Sequence, residues 1–283
     1  PRIARLMARA HFRLRAPRVT VRGTDLAGVV VAVGDEVVRW QVGDRALGQG
    51  TATFAEHAVA RADEIAAIPS GLAMRTAAAV PLAGTTALQC LEAASASPGD
   101  RILINGAGGG VGTFAVQLAV AMGLRVTAMV SPRHVGLVRR LGADQVVDYT
   151  TTDVTSTGQE YDVVLDLVGN RSLTDLRRCV RPGGDLVLSG GGVPGSGRVV
   201  GPFRLLVQAQ LAARRAGIGI HVPQARPTTE RLERLVALVA EGTVTPVIDR
   251  VYPLERTAQA VTYVEDVHPQ GKVVIAIAST LGG

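Results

Sequence analysis

The chain has 283 residues, enough for two domains, and 47% of them are hydrophobic while only 19% are charged. This balance excludes an intrinsically disordered chain, and the 33 glycines follow no three-residue repeat, which excludes a collagen-like fibre. The net charge is +6, but aromatic residues make up only 3%, too few to stack many bases, so we expect no nucleic-acid partner.

Apolar stretches stay shorter than about 18 residues without charge or repeated glycine, so we expect no membrane span. The two cysteines, Cys90 and Cys179, are far apart in sequence and cannot form a disulfide framework or, alone, a zinc site. We therefore expect a reducing, cytoplasmic environment. The arginine-rich opening lacks serine and begins at Pro1, and we interpret it as the interior of a longer protein.

Residues 28–69 alternate short valine-rich runs with turn residues such as Gly34-Asp35 and Gly43-Asp44. This alternation predicts short antiparallel strands in a barrel-like unit. The runs that predict strands are 29–33, 37–40 and 54–59.

Residues 82–242 alternate apolar runs of strand length with helical periods. That alternation is typical of βαβ units and predicts a parallel sheet covered by helices on both faces. The last region, 247–283, returns to strand character at 273–277, and we expect it to pair with the first region. The central strands are predicted at 102–104, 126–130, 146–148, 163–167 and 186–189, and the helices at 111–122, 134–141, 203–216 and 230–240.

The segment 105–112, Asn-Gly-Ala-Gly-Gly-Gly-Val-Gly, lies directly after a predicted strand and directly before a predicted helix. Small residues let the backbone turn tightly there and approach a pyrophosphate, whose charge is stabilised by the amino end of the helix. Gly109 and Gly112 stand at the second and third glycine places of the dinucleotide fingerprint, and Ala107 stands at the first. An ordinary tight strand-to-helix turn is the alternative.

The residues after the second strand of this unit favour NADPH as the dinucleotide. NAD-binding proteins carry an acid near this position, about 20 residues beyond the loop, to bind the ribose 2′-hydroxyl. Here Ser131 and Arg133 stand instead, and a hydroxyl with a guanidinium suits a 2′-phosphate. The alternative is that Ser131 caps the next helix while Arg133 is solvated.

Five further segments carry a resemblance to a known family. With them the chain resembles the medium-chain dehydrogenase/reductase superfamily and, within it, the zinc-independent quinone oxidoreductase-like branch. Where zinc-dependent relatives carry Gly-His-Glu, this chain has Gly23-Thr24-Asp25, so we expect no metal site. Besides the glycine-rich loop, the resemblance rests on 23–30, 43–45, 77–87, 141–144 together with 147–149, and 271–275.

The resemblance implies an α/β fold: a Rossmann doubly wound parallel sheet plus a partial GroES-like β-barrel catalytic domain. The catalytic domain would comprise 1–83 and the return segment 245–283, with the NADP-binding domain at 84–244. Family members begin with strands spanning about fifty residues before the point where this chain starts, so it is expected to be N-terminally truncated. Members commonly form homodimers, which we expect here by analogy.

The resemblance also implies the roles of individual residues. Thr86 would approach the nicotinamide, Tyr149 would lie at the adenosine end with Ser131 and Arg133, and a closing segment would return to the cofactor. Thr86 could instead cap a helix, Tyr149 could cover a sheet edge, and His268 could be a solvated loop residue. The pyrophosphate would contact Gly108, Gly109, Gly110, Val111 and Gly112, and the closing segment is His268, Pro269 and Gln270.

The activity implied is zinc-independent hydride transfer from NADPH to a quinone or an enone. An enoyl reductase or a zinc-free alcohol dehydrogenase is the alternative enzyme, and an NADPH-binding protein without turnover is the alternative outside enzymes. Asp166 ends a predicted strand at the edge of the sheet where ligands bind, yet it could equally accept hydrogen bonds from loop amides.

Overall fold

The computed structural model describes residues 21–189 and 217–277, so the helix predicted at 203–216 lies outside the described residues. The chain divides into two compact units. The first contains Gln89–Ala107 and Ala119–Gln224, and the second contains Val21–Leu88, Gly108–Leu118 and Ala225–Gly283.

The described residues contain both strands and helices, with three short 3₁₀ turns. The strands are β1 (Asp25–Val29), β2 (Arg45–Thr51), β3 (Val59–Ala67), β4 (Arg101–Asn105), β5 (Arg125–Val130), β6 (Gln145–Asp148), β7 (Tyr161–Asp166), β8 (Val180–Leu188), β9 (Gly219–His221), β10 (Ile248–Pro253) and β11 (Lys272–Ala276). The helices are α1 (Met74–Ala78), α2 (Pro81–Ala93), α3 (Gly110–Ala121), α4 (Val135–Arg140), α5 (Leu173–Arg178), α6 (Thr229–Ala240) and α7 (Thr257–Val267). Across 21–189 and 217–277, no helix is long and apolar enough to cross a membrane.

The first unit is built on a parallel sheet with the strand order β6-β5-β4-β7-β8-β9. Every neighbouring pair in this sheet is parallel, and the order reverses between β4 and β7. This is the doubly wound order of a Rossmann fold, in which ligands bind at the carboxyl ends of the strands beside the reversal point. The predicted α/β parallel sheet is therefore confirmed.

The strands of this sheet are buried on both faces, which explains why the sequence analysis located them. Ile102, Leu103 and Ile104 are fully buried in β4, although their side chains alternate between the two faces. On one side Leu103 packs with Met129, Tyr161 and other residues of the cluster around Leu176 and Leu186. Continuous apolar runs in the sequence are the direct consequence of this two-sided burial.

The second unit contains an antiparallel sheet of order β1-β2-β3. The predicted antiparallel character is confirmed, but the strands predicted at 29–33, 37–40 and 54–59 are largely wrong. Residues 30–44 form a loop closed by hydrogen bonds from the amide of Val30 to Asp44 and from the amide of Gly43 to Val30. Trp40 of this loop packs on Ala46 and Ile65, so its apolar residues fill a core without joining a strand.

The tail of the second unit forms a separate two-stranded parallel sheet, β10-β11. The prediction that the tail strand pairs with the first region is wrong, since β11 pairs with β10 within the described residues. Helix α6 packs on β3, and Thr229 at its start donates a hydrogen bond to the carbonyl of Ile65. Its apolar stripe, Leu232, Leu235, Val236 and Val239, is buried.

Candidate functional site

The glycine-rich segment lies where the sequence analysis expected it, between the end of β4 at Asn105 and the start of α3 at Gly110. The amide of Thr113, bonded to the carbonyl of Gly109 at 2.9 Å, closes the first turn of α3. The amides of the three residues before Thr113 therefore precede the first closed turn. A helix start of this kind attracts an anion through its amides and its dipole.

The first glycine of the segment, Gly106, shows why no side chain is tolerated there. Its φ is +88°, a left-handed conformation that favours glycine, and a Cβ would lie 2.6 Å from a methyl carbon of Val168. Its amide donates to the carbonyl of Met129 at 3.2 Å. Close packing of the loop after β7 thus accounts for this glycine.

The loop after β7 is held by a buried carboxylate. Asp166, only 2% exposed, accepts hydrogen bonds from the side chain of Asn105 at 2.8 Å and from the amides of Val168 and Gly169. Asn105 also donates to Asn170 at 3.0 Å. Asp166 therefore satisfies loop amides, one of the two alternatives left open, and it fixes the loop at the reversal point of the sheet.

In the second unit, the later part of the glycine-rich segment pairs with the tail of the chain. The amide of Gly271 donates to the carbonyl of Gly108 at 3.1 Å, and Gly109 and Gly271 form an isolated parallel bridge. A Cβ on Gly110 would lie 3.2 Å from Cδ of Lys272. The return segment and the residues at the start of α3 are thus in backbone contact.

Lys272 also forms an ion pair that was not predicted. Its Nζ lies 3.2 Å from Oδ2 of Asp25, and the two side chains are 20% and 18% exposed. The other oxygen of Asp25 accepts a hydrogen bond from the amide of Leu82, in the first turn of α2. Burial raises the pKa of the Asp25 carboxyl, and the charge of Lys272 is the strongest influence that opposes this rise.

Thr86, the predicted catalytic residue, lies one turn beyond Leu82 in the same helix. Its hydroxyl donates to the carbonyl of Leu82 at 2.6 Å. Thr86 is therefore inside α2 and does not cap a helix. Because one donor is used internally, the oxygen of Thr86 retains lone pairs with which it can accept a hydrogen bond.

The closing segment begins where α7 ends. His268 is exposed and has a φ of +53°, the left-handed conformation that ends many helices. The amide of Gln270 donates to Asp249, which also accepts from the hydroxyl of Tyr263 at 2.8 Å. Together with Pro269, these residues form a short bend that leads directly into Gly271 and its bond to Gly108.

The residues predicted to select the phosphorylated dinucleotide lie at one end of the sheet of the first unit. Ser131 follows β5 and Tyr149 follows β6, and the amide of Tyr149 donates to the carbonyl of Val130 at 3.2 Å. The hydroxyl of Ser131 lies 2.9 Å from Nδ1 of His134 and makes no capping bond. Arg133 is exposed, and Tyr149 is 46% exposed. Two neighbouring strands thus present a hydroxyl, a guanidinium and a phenol at their carboxyl ends.

These residues fit a dinucleotide phosphate on two structural grounds. The amides of residues 110–112 precede the first closed turn of α3, so they can donate hydrogen bonds to a phosphate. The exposed guanidinium of Arg133 and the half-buried hydroxyl of Ser131 match a second, peripheral phosphate.

A metal centre has no counterpart in the part of the chain that the structure describes. Among those residues, no group of three or more His, Cys, Asp or Glu side chains is arranged to hold a metal ion. Cys90 and Cys179 are buried, and burial raises the pKa of both thiols, that of Cys179 to about 11. Both thiols are therefore protonated near neutral pH.

Sequence reasoning located the glycine-rich segment and the polar strand ends but not the Asp25–Lys272 pair. One signal was present: Lys272 is the only lysine in a chain that otherwise uses arginine for positive charge. Such a contact joins residues 247 positions apart, so no local pattern could indicate it.

Two family models match the chain. One, described as an alcohol dehydrogenase GroES-like domain, matches residues 4–70, and the other, described as a zinc-binding dehydrogenase, matches residues 141–275.

Individual proteins are similar along nearly the whole chain. The 2-methylene-furan-3-one reductase of Solanum lycopersicum is 34% identical over 92% of this chain, which spans 64% of that reductase. The quinone oxidoreductase of Mus musculus is 30% identical over 88% of this chain and 77% of its own length. The Escherichia coli quinone oxidoreductase complexed with NADPH superimposes with a TM-score of 0.78 at 25% identity, covering 94% of this chain and 85% of that one.

Proposed function

Because the chain belongs to the quinone oxidoreductase-like branch of the medium-chain dehydrogenase/reductase superfamily, we propose that it is an NADPH-dependent oxidoreductase. We propose further that it transfers hydride to an electron-poor carbonyl compound, a quinone or a related enone. The observation that carries the proposal is the glycine-rich segment at the start of α3, in a chain whose sheet has the Rossmann order. The E. coli quinone oxidoreductase with NADPH supports the choice of cofactor.

Different residues of the chain are proposed to bind different parts of NADPH. The amides at the start of α3 bind the pyrophosphate, and Ser131 and Arg133 bind the 2′-phosphate through a hydroxyl and a guanidinium. Tyr149 covers the adenosine end. When NADPH is bound, its dihydronicotinamide supplies the hydride. Thr86 would approach the nicotinamide end and orient it, and the bend at His268, Pro269 and Gln270 would contact the cofactor.

We propose that the transfer needs no zinc. A zinc centre requires three or four N, S or O ligands, and the segment that carries Gly-His-Glu in zinc-dependent relatives contains Gly23, Thr24 and Asp25. Asp25 is engaged by Lys272 and by the amide of Leu82, so its carboxylate is already satisfied.

The acceptor decides whether a proton donor is needed. A reduced quinone oxygen takes its proton from water, whereas an enone forms an enolate that must be stabilised by a positioned donor. Quinone reduction requires no positioned proton donor. The similarity to the mouse quinone oxidoreductase supports a quinone as the acceptor. The tomato 2-methylene-furan-3-one reductase supports an enone as the second candidate acceptor.

Further expectations from the sequence remain proposals. We propose the domain boundaries 1–83, 84–244 and 245–283, a homodimer, and a cytoplasmic location. Light scattering on the purified chain would test the homodimer.

The proposed function is tested by following the absorbance of NADPH with the purified chain. We expect NADPH to bind more tightly than NADH, and its oxidation to depend on an added 1,4-benzoquinone. Matched rates with a simple enone and an enoyl thioester identify the preferred acceptor. Tight binding of NADPH without acceptor-dependent oxidation would instead indicate a nucleotide-binding protein without turnover, and no binding would overturn the proposal.

A further inference from the structure

The ion pair between Asp25 and Lys272 joins the start of β1 to the start of β11. Both side chains are about four-fifths buried, so solvent and salt screen their attraction only weakly. Removing one partner would leave the other charge poorly compensated. Because it is largely buried, the Asp25–Lys272 pair keeps the starts of β1 and β11 together.

The backbone around Lys272 connects this pair to the glycine-rich segment. The amide of Lys272 donates to the carbonyl of Val247 at 2.8 Å, and the preceding residue, Gly271, donates to Gly108. The stem of Lys272 lies beside Gly110, where an added carbon would be 3.2 Å from Cδ. Lys272 is therefore fixed by its backbone at one end and by Asp25 at the other, and its stem covers the first residue of α3.

Asp25 extends the connection to α2. One carboxylate oxygen binds Lys272, and the other accepts from the amide of Leu82, in the turn that precedes Thr86. The carboxylate also stabilises the amino end of α2 through the helix dipole. One side chain thus links the helix of Thr86 to the strand that follows Gly271.

We propose that Asp25 and Lys272 are positioning residues whose ion pair holds Gly271 against Gly108 and so keeps the start of α3 in the shape that binds the diphosphate of NADPH. The part that concerns NADPH rests on the proposed function. The pair contacts neither the hydride nor the acceptor in this scheme, and it acts through the backbone of Gly271.

The test compares Asp25→Asn, Lys272→Met and the double variant with the unmodified chain. The control is Arg39→Met, which breaks the Arg39–Glu233 ion pair of the same unit, where both side chains are about half exposed. Two quantities are measured: hydrogen exchange of the Gly271 amide, which needs no cofactor, and the Kd of NADPH from nicotinamide fluorescence.

We expect each single variant to speed exchange at Gly271 about tenfold and to weaken NADPH binding about tenfold, since a charge-assisted contact is lost. Exchange in β2 should stay unchanged, and kcat at saturating NADPH should change less than about twofold. The double variant should show no faster exchange at Gly271 and no higher Kd for NADPH than the more impaired single variant, because the two residues act as one unit. Arg39→Met should alter none of these quantities.

Three results would each overturn the inference. The first is unchanged exchange at Gly271 in both single variants. The second is exchange that rises equally in β2, which would indicate a general loss of stability. The third is tighter NADPH binding in Asp25→Asn with weaker binding in Lys272→Met, because the ammonium would then act on the cofactor directly. If the unmodified chain binds no NADPH, the proposed function fails, and exchange at Gly271 alone decides the positioning role.

Discussion

Two regions of the molecule are proposed to bind the dinucleotide, and they are built differently. Around Gly108 and Gly271 the backbone is fixed by hydrogen bonds, and a Cβ added at Gly271 would clash with neighbouring backbone. At Ser131, Arg133 and Tyr149 polar side chains that are half-buried or exposed follow the ends of two strands. Atoms added at Gly271 should therefore cost stability and all dinucleotide binding. The second region accepts substitution, so its variants should change which dinucleotide is preferred.

The largest effect is expected from Gly271→Ala, because Gly271 has a φ of +77° and its Cβ would lie 2.4 Å from the carbonyl oxygen of Val247. Strain and the clash together should destabilise the chain by about 3 kcal/mol and abolish NADPH binding. Gly242→Ala is the matched control, since Gly242 has a φ of +78° but open space around it. It should cost only about 1 kcal/mol. Equal losses in urea unfolding would show that close packing at Gly271 is unimportant.

A smaller loss of stability is expected from Asp166→Asn, because Asp166 holds the loop after β7 that packs against Gly106. The NH2 group of asparagine would replace Oδ2, which faces the amide of Gly169 at 3.2 Å, and the charge that strengthens the bonds from Asn105 and from the amide of Val168 would be lost. We expect a loss of about 2 kcal/mol, because one donor would face another and charge-assisted hydrogen bonds would become neutral. The control is Asp148→Asn at the end of β6, where the carboxylate binds Thr150 near the surface and a loss below about 0.5 kcal/mol is expected. Thermal unfolding measures both, and a neutral Asp166→Asn would contradict the assignment.

Arg133→Gln should affect only the region that contains Ser131, Arg133 and Tyr149. It removes a charge there and leaves the backbone around Gly108 and Gly271 intact. We expect NADPH affinity to fall about tenfold while NADH affinity stays the same, since only NADPH carries the 2′-phosphate. Arg125→Gln is the control, at the opposite end of the same strand β5. Calorimetric titration with both dinucleotides measures the ratio. A parallel loss for NADH would mean that Arg133 does not select the phosphate.

The smallest effect at neutral pH is expected from Cys179→Ala. Burial raises the pKa of this thiol from its ordinary value of 9.0 to about 11. The folded state therefore keeps its proton where the unfolded state has released it, so the stability linked to this group is full below pH 9 and falls as the pH rises toward 11. The unfolding free energy of the variant should decline less over that window. Identical pH dependence of variant and unmodified chain would argue against burial of the thiol.

The parallel sheet could be predicted from the sequence because its strands are short apolar runs with both faces buried. The antiparallel character of the other sheet could be predicted, but its strands could not be located, since β3 carries Arg61, Asp63 and Glu64 and contains few residues that favour strands. Its strand pairing is decided by the partner strand, and Trp40 of the 30–44 loop fills the neighbouring core instead, with Val30 packed against it. Local composition therefore predicted the wrong strands there.

The candidate site also combines features that the local sequence predicts with contacts that it does not. The glycine-rich segment could be predicted because its pattern is local, between a strand and a helix, whereas the close approach of Val168 to Gly106 could not be read from that pattern. The internal bond from Thr86 to Leu82 follows from helix geometry once the helix start is known. The Asp25–Lys272 pair depends on how distant strands meet, which no periodicity encodes.

The bond between Gly108 and Gly271 has a consequence for synthesis on the ribosome. All the strands from β4 to β9 leave the exit tunnel before Gly271 has been added to the chain. The nascent polypeptide can thus assemble its parallel sheet before the amide of Gly271 is available to donate to the carbonyl of Gly108. Gly271 must therefore be translated before the carbonyl of Gly108 acquires its hydrogen-bond donor.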